Sequence, residues 1–374
     1  MKFCFFHLMP WTDVQEAGQD WPVANKSFDG RRGHELYTSY LDMMADAENY
    51  GFDLVGCNEH HFSPYGMMSN PNLIGAIMAS RTKRAGLAMF GNLVPLNNPI
   101  RVAEEYAMLD VISGGRLLAG FMRGIPHEYV AYNVDPNESW SRLHEAAELI
   151  IKCWTEPEPF GWEGEHYQYR AVSIWPRPMQ RPHPQILMSA SNPESAVFAA
   201  KHHAKMGMVL LTSLPGAKES IRIYKEAAKA HGWEPNPDDI LIGQHTVIAD
   251  TDEEAQVYMR DARKYFFNVL GGGPRIAANL VVKESRYYAD AKRREGVGER
   301  RKELADAPIE THIDKGAILC GSPKTVVEQI KRIHGELGHG LMNITMKIGN
   351  IPDPVVRKGM QLFKDKVLPH VHNL

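Results

Sequence analysis

Short, mostly apolar runs alternate with longer stretches in which apolar residues recur every three or four positions, almost from one end of the chain to the other. Lys2–Leu8 has the length and composition of a buried strand. Tyr37–Tyr50 follows with apolar residues at 37, 40, 41, 44, 45 and 47, a helical rhythm that Gly51 closes. The same alternation predicts strands at Asp53–Cys57, Gly86–Val94, Arg116–Phe121, Gln185–Ser189, Gly207–Leu211, Leu241–Ala249 and Leu341–Lys347. Helices are expected between them, among others at Asn72–Ala79, at Pro99–Ile112 ahead of Gly114-Gly115, around Glu138–Trp154 and near Pro354–Val367. Strands separated by helices pair in parallel through βαβ crossovers. Eight such units favour an α/β fold of the (β/α)₈ barrel type over an open sheet with a second domain.

The punctuation agrees. Asn70-Pro71, Asn98-Pro99, Asn192-Pro193 and Ser322-Pro323 each read as a helix start. A side-chain oxygen takes an orphan N–H there, and proline at the next position has no N–H to leave unpaired. Residues 1–374 are therefore read as one barrel domain with two insertions, after strands 4 and 7. The first, Thr155–Pro184, is rich in proline and aromatic residues. The second, Gly271–Pro308, opens Gly-Gly-Gly-Pro and carries a mixed-charge run, Lys283–Glu303. It fits either a solvated helical insertion or a lid hinged at Gly271–Gly273. Both excursions are expected to shape the substrate pocket.

Composition excludes several function classes. A formal net charge of −3 over 374 residues gives no basic surface for nucleic acid. Cys4, Cys57, Cys153 and Cys320 form no C-x-x-C pair, so neither a disulfide framework nor a zinc ribbon is expected. No apolar stretch approaches the roughly 18 residues that would span a bilayer. The first residues lack a signal-peptide pattern, and a soluble cytoplasmic protein with no membrane partner is expected.

Barrels carry their chemistry at the C-terminal ends of strands. Those positions hold His7, Asn58-Glu59-His60-His61, Gly91-Asn92, Met122-Arg123-Gly124 and Ser189-Ala190-Ser191-Asn192. Adjacent histidines on an extended strand point to opposite faces, so His60 and His61 cannot both reach one ion, and no catalytic metal is expected. Arg123 with Ser189 and Asn192, at the start of a helix, suits an anion such as phosphate. Gly124 leaves room for its close approach. There is no G-x-G-x-x-G after the first strand and no G-x-x-x-x-G-K-[ST].

The runs GFDLVGCNEHHF, GNLVPLNNPIRVAEEYAMLDVISGGRLLAGFMRG and ILMSASNPESAVFAA resemble the bacterial luciferase-like flavin monooxygenases over nearly the whole chain. The resemblance implies a TIM barrel that takes reduced FMN from a separate flavin reductase. It implies activation of O₂ as a flavin C4a-hydroperoxide and oxygenation of a small substrate, read here as apolar or aldehyde-like. It makes His60 the catalytic histidine, with Glu59 and Asn92 beside it, and Arg123, Ser189 and Asn192 the phosphate ligands. His7, Gly91, Asn92, Met122 and Gly124 are expected to border the flavin. A non-proline cis peptide is expected at Gly91-Asn92, and Phe6, Met9, Trp11, Phe62, Leu93, Met122 and Met188 are candidates for the ring slot and substrate pocket. Met122, Pro126 and Met188 replace a cysteine, a tyrosine and a glutamate of luciferase itself, which argues against light emission. The family's dimer, through helices near the second and third strands, is expected as a homodimer. Two alternatives remain: a deazaflavin-dependent dehydrogenase of the same barrel, and a non-catalytic flavin-binding partner subunit.

Overall fold

The computed structural model describes residues 1–14, 21–276 and 307–374. Most of the predicted second excursion, with its charged run, lies outside the described residues. Eight parallel strands close on themselves: β1 (Lys2–His7), β2 (Leu54–Cys57), β3 (Gly86–Leu93), β4 (Leu117–Met122), β7 (Gln185–Ser189), β8 (Lys205–Met208), β9 (Ile240–Ile248) and β11 (Leu341–Lys347), which returns to β1. Each overlaps one expected strand, and the fold is a (β/α)₈ TIM barrel. Strands covered on both faces are largely apolar; β4 is apolar and buried at every position, and β9 is buried throughout while carrying Gln244, His245 and Thr246. Among the described residues, one further strand in the main sheet was not foreseen, nor were the two of the hairpin in the first excursion. The four-residue β10 (Ile318–Gly321) pairs with the second half of β9, on the edge whose first half pairs with β8.

The Asn-Pro starts work as the sequence implies. Asn70 Oδ1 accepts the N–H groups of Asn72 and Leu73 at the head of α2 (Pro71–Arg81). Asn98 does the same for Ile100 and Arg101 in α3 (Pro99–Ser113), and Asn192 for Ser195 in α6 (Pro193–Lys201). Ser322 differs: its N–H donates to Asp252 at 2.6 Å and its hydroxyl pairs with Thr325. The first excursion contains an antiparallel hairpin, β5 (Phe160–Glu163) with β6 (Gln168–Val172). It is fastened to α5 (Ser139–Thr155) by Glu145, which accepts from Trp162 Nε1 and from the His166 and Tyr167 N–H groups.

Backbones crowd closely between β3 and β4. A Cβ at Gly120 would lie 2.1 Å from the Met89 carbonyl oxygen. Gly120→Ala is therefore expected to destabilise the protein by about 3 kcal/mol, the upper end for over-packing. Gly335 is the control, since it is exposed in the 323–337 helix with nothing within 4 Å of an added Cβ. Gly335→Ala should stabilise by up to about 1 kcal/mol. Urea unfolding of the two variants measures both, and equal midpoints would contradict the steric argument.

Candidate active site

The C-terminal ends of β2, β3, β4, β7 and β8 surround a cavity of about 390 Å³. No residue of 155–184 lines it, so the first excursion does not shape this pocket as expected. Its walls are chiefly Phe90, Leu93, Phe121, Met122 and Met188, with Trp140 and Leu143 from α5 and Phe198 from α6.

Part of the lining is basic and hydroxylic. Arg123 follows β4, and its guanidinium lies over the Trp140 ring, 5.0 Å from the ring centre. Ser189, Ser191, Asn192 and Ser195, around the start of α6, add polar groups. Asn192 Oδ1 is committed to the Ser195 N–H at 3.0 Å, and Ser195 Oγ donates to the Asn192 carbonyl at 2.9 Å. Gly124 sits at φ +91°, where a side chain would be strained, and a Cβ there would lie 3.3 Å from Glu128 Oε2.

Another part of the lining is built on His60. Its Nδ1 is 2.9 Å from Glu128 Oε1 and its Nε2 is 2.8 Å from Asn58 Nδ2. The Tyr65 ring packs edge-on against it at 4.7 Å. Glu128, on the short helix α4 (Pro126–Ala131), is fully buried and also accepts the Ile125 N–H at 2.8 Å. Burial alone would raise its carboxyl pKa. The neighbouring His60 and His127 rings and the bonds from His60 and Ile125 outweigh that, and the net shift is downward. Burial pushes His127 down to about 4, so that ring is neutral at pH 7.

His61, like His60 beyond the end of β2, has different partners. It bonds Glu59 Oε1 at 2.8 Å and the Tyr132 hydroxyl at 3.0 Å. Glu59 lines the cavity, yet its carboxylate is engaged on both oxygens, by His61, by Asn97 Nδ2 and by the Leu93 N–H. It fixes the end of β3 rather than offering a free base.

Of the expected site residues, Glu59, His60, Met122, Arg123, Gly124, Ser189 and Asn192 meet at this cavity, while His7, Gly91 and Asn92 do not line it. His7 is buried against Tyr40, and its Nδ1 accepts the Met9 N–H. Burial and then the Lys347 charge hold it down to about 3, hence neutral. Asn92 exchanges two 3.1 Å amide bonds with Asn72, behind the strand. The cis bonds among the described residues all precede proline, so Gly91-Asn92 is trans. Gly91 instead adopts φ +152° in a bulge against β4, and a Cβ there would come within 3.2 Å of Met122 Cγ. Among the expected slot residues, Leu93, Met122 and Met188 line the cavity, and Phe62 borders a shallower neighbouring pocket with His60 and His61. Phe6, Met9 and Trp11 border neither of these pockets. Sequence reasoning missed Glu128 and Trp140. Pro126 followed by Glu128 is a helix-start signature that marks Glu128 as a cap; Trp140 carried no such signal.

Comparison with known proteins matches this architecture. The model of the luciferase-like monooxygenase family fits residues 14–339. The oxygenase component of the flavin-dependent trigonelline monooxygenase of Acinetobacter baylyi is 28% identical over 240 residues, 63% of this chain and 66% of that one. Two of the curated relatives are matched over only 54% and 66% of their own length. Among solved structures, the monooxygenase RslO1 of Streptomyces bottropensis superposes with a TM-score of 0.75 at 28% identity, over 99% of both chains. The oxygenating constituent of 3,6-diketocamphane monooxygenase of Pseudomonas putida, solved with FMN, shares the fold at a TM-score of 0.71 and 22% identity, over 95% of this chain and 98% of that one. With its barrel, its strand-end cavity and a family match over most of its length, the chain belongs to the luciferase-like monooxygenase family.

Proposed function

We propose that the protein is an oxygenase component. It receives reduced FMN from a separate flavin reductase and, with O₂, oxygenates a small apolar or aldehyde-like organic molecule. The observation that carries this reading is a single cavity lined by Arg123, three serines, His60 and apolar side chains. The chemistry of those groups fits the cofactor. A permanent cation and hydroxyls suit a phosphate dianion, and the apolar middle suits a planar ring system. Bound reduced FMN supplies the electrons that O₂ requires.

The chain's own part is binding, exclusion of water and proton handling. Arg123, Ser189 and the α6 start hold the phosphate, and Met122 and Met188 close the walls around the ring. His60, whose kind of side chain exchanges protons near neutral pH, holds or moves a proton at the reacting end. Leu73 on α2 and Met108, Val111 and Ile112 on α3 are exposed apolar residues, and they support a homodimer through that face.

Rapid mixing of photoreduced FMN, protein and oxygen tests the reading. A near-ultraviolet absorbance that outlives the one given by FMN without protein is expected. Its absence, or tight deazaflavin binding without FMN affinity, overturns the proposal.

A further inference from the structure

The two partners of His60 are of opposite character. A carboxylate offers only acceptors, so Glu128 requires an N–H at Nδ1. The Asn58 –NH₂ group offers only donors, so it requires a lone pair at Nε2. Both select the same tautomer. The remaining amide atom, Asn58 Oδ1, is buried without a hydrogen-bond partner. That acceptor would find a partner after a half-turn of the amide if Nε2 carried a proton.

We propose that Glu128 and Asn58 are positioning residues that decide which nitrogen of His60 handles the proton. Glu128 keeps one proton on Nδ1 and leaves Nε2 as the basic atom, and Asn58 turns over when Nε2 is protonated. The proposal rests on the reading of His60 as the proton-handling group. In the step itself the Asn58 N–H···Nε2 bond breaks, the freed Nε2 lone pair takes one proton from a group in the cavity, and the proton later returns as the bond re-forms. No electrons move between molecules, and the positive ring is balanced by the Glu128 carboxylate.

The titratable groups around this pair come from several elements. His127, beside Glu128 on α4, has its Nε2 4.0 Å from Glu128 Oε1. Tyr65 packs on the His60 ring, with its hydroxyl pKa raised by burial and then by the Glu128 charge. The paired Glu59 and His61 flank His60 in the chain, and Arg123 lines the same cavity.

Substitution by glutamine separates this arrangement from a merely structural one. In Glu128→Gln the single carbonyl oxygen must face the Ile125 N–H, a donor that cannot become an acceptor. The –NH₂ group then faces His60 Nδ1 and forces the proton to Nε2. Nitrogen-15 spectra of histidine-labelled, flavin-free protein, with His60 assigned by its loss in His60→Gln, read the tautomer directly. Protonated Nδ1 and bare Nε2 are expected in the wild type and in Glu128→Asp, and the inverse in Glu128→Gln. Asn58→Asp, which places acceptors on both sides, should give a doubly protonated ring at a pH where the wild type carries one proton. An Nδ1–H tautomer persisting in Glu128→Gln overturns the proposal. So does an unchanged ring in Asn58→Asp, should the glutamine variant not fold. FMN titration of the same samples is a separate readout: its failure in the wild type removes the flavin reading and leaves the tautomer result standing.

Discussion

Replacing His60 with alanine is expected to reduce product formation by about 10²–10⁴-fold, the usual contribution of a positioned acid or base, while FMN affinity stays close to that of the wild type. The asymmetry follows from where His60 stands. It shares the cavity with Arg123 and Ser189, but its own side-chain bonds run to Glu128 and Asn58 and not to the guanidinium or the serines. Removing the ring leaves Glu128 buried with one oxygen still held by the Ile125 N–H, so the Arg123–Ile125 turn keeps its anchor. Two numbers decide the matter: the dissociation constant from quenching of flavin fluorescence, and product formed per reduced FMN. Wild-type product yield in His60→Ala would remove the histidine from the chemistry.

Arg123→Ala is expected to do the reverse. Loss of one charge-assisted bond costs about 1.5–3 kcal/mol, or roughly 10- to 150-fold in FMN affinity. Riboflavin, which lacks the phosphate, should bind wild type and variant alike. The guanidinium also rests on the Trp140 face, so the variant loses an orienting contact as well as a charge. Lysine in its place should restore only part of the affinity, because an ammonium neither stacks on the indole nor offers a planar pair of donors. Equal weakening of FMN and riboflavin would show that Arg123 shapes the pocket without holding the phosphate.

The barrel was legible because its physics is repetitive. A strand buried on both faces must be an apolar run, and Asn-Pro marks a helix start wherever it recurs, so eight strands and three capped helices could be placed from residues alone. Strand β10 was not, since four residues between Ala317 and Ser322 carry too little pattern. At the site, position at a strand end proved necessary but insufficient. The bulge between Met89 and Asn92 adds a residue to β3 and shifts the phase of the pleat, which turns Asn92 toward Asn72 and leaves Phe90 and Leu93 on the cavity side. No single-sequence rule announces that shift. His60 and Arg123 were legible as residues. The partner that gives His60 its direction was not, because Glu128 lies 68 positions further along the chain.

Glu128 has a consequence beyond catalysis. One carboxylate binds the turn that carries Arg123 and the ring of His60. Apolar wall residues such as Phe90, Leu93 or Met188 can change singly as a lineage moves to new substrates. Glu128 has no such freedom, because its loss would release the His60 ring and the turn after Arg123 together. In descendants of this chain, substrate range should therefore diversify around an unchanging His60–Glu128 pair.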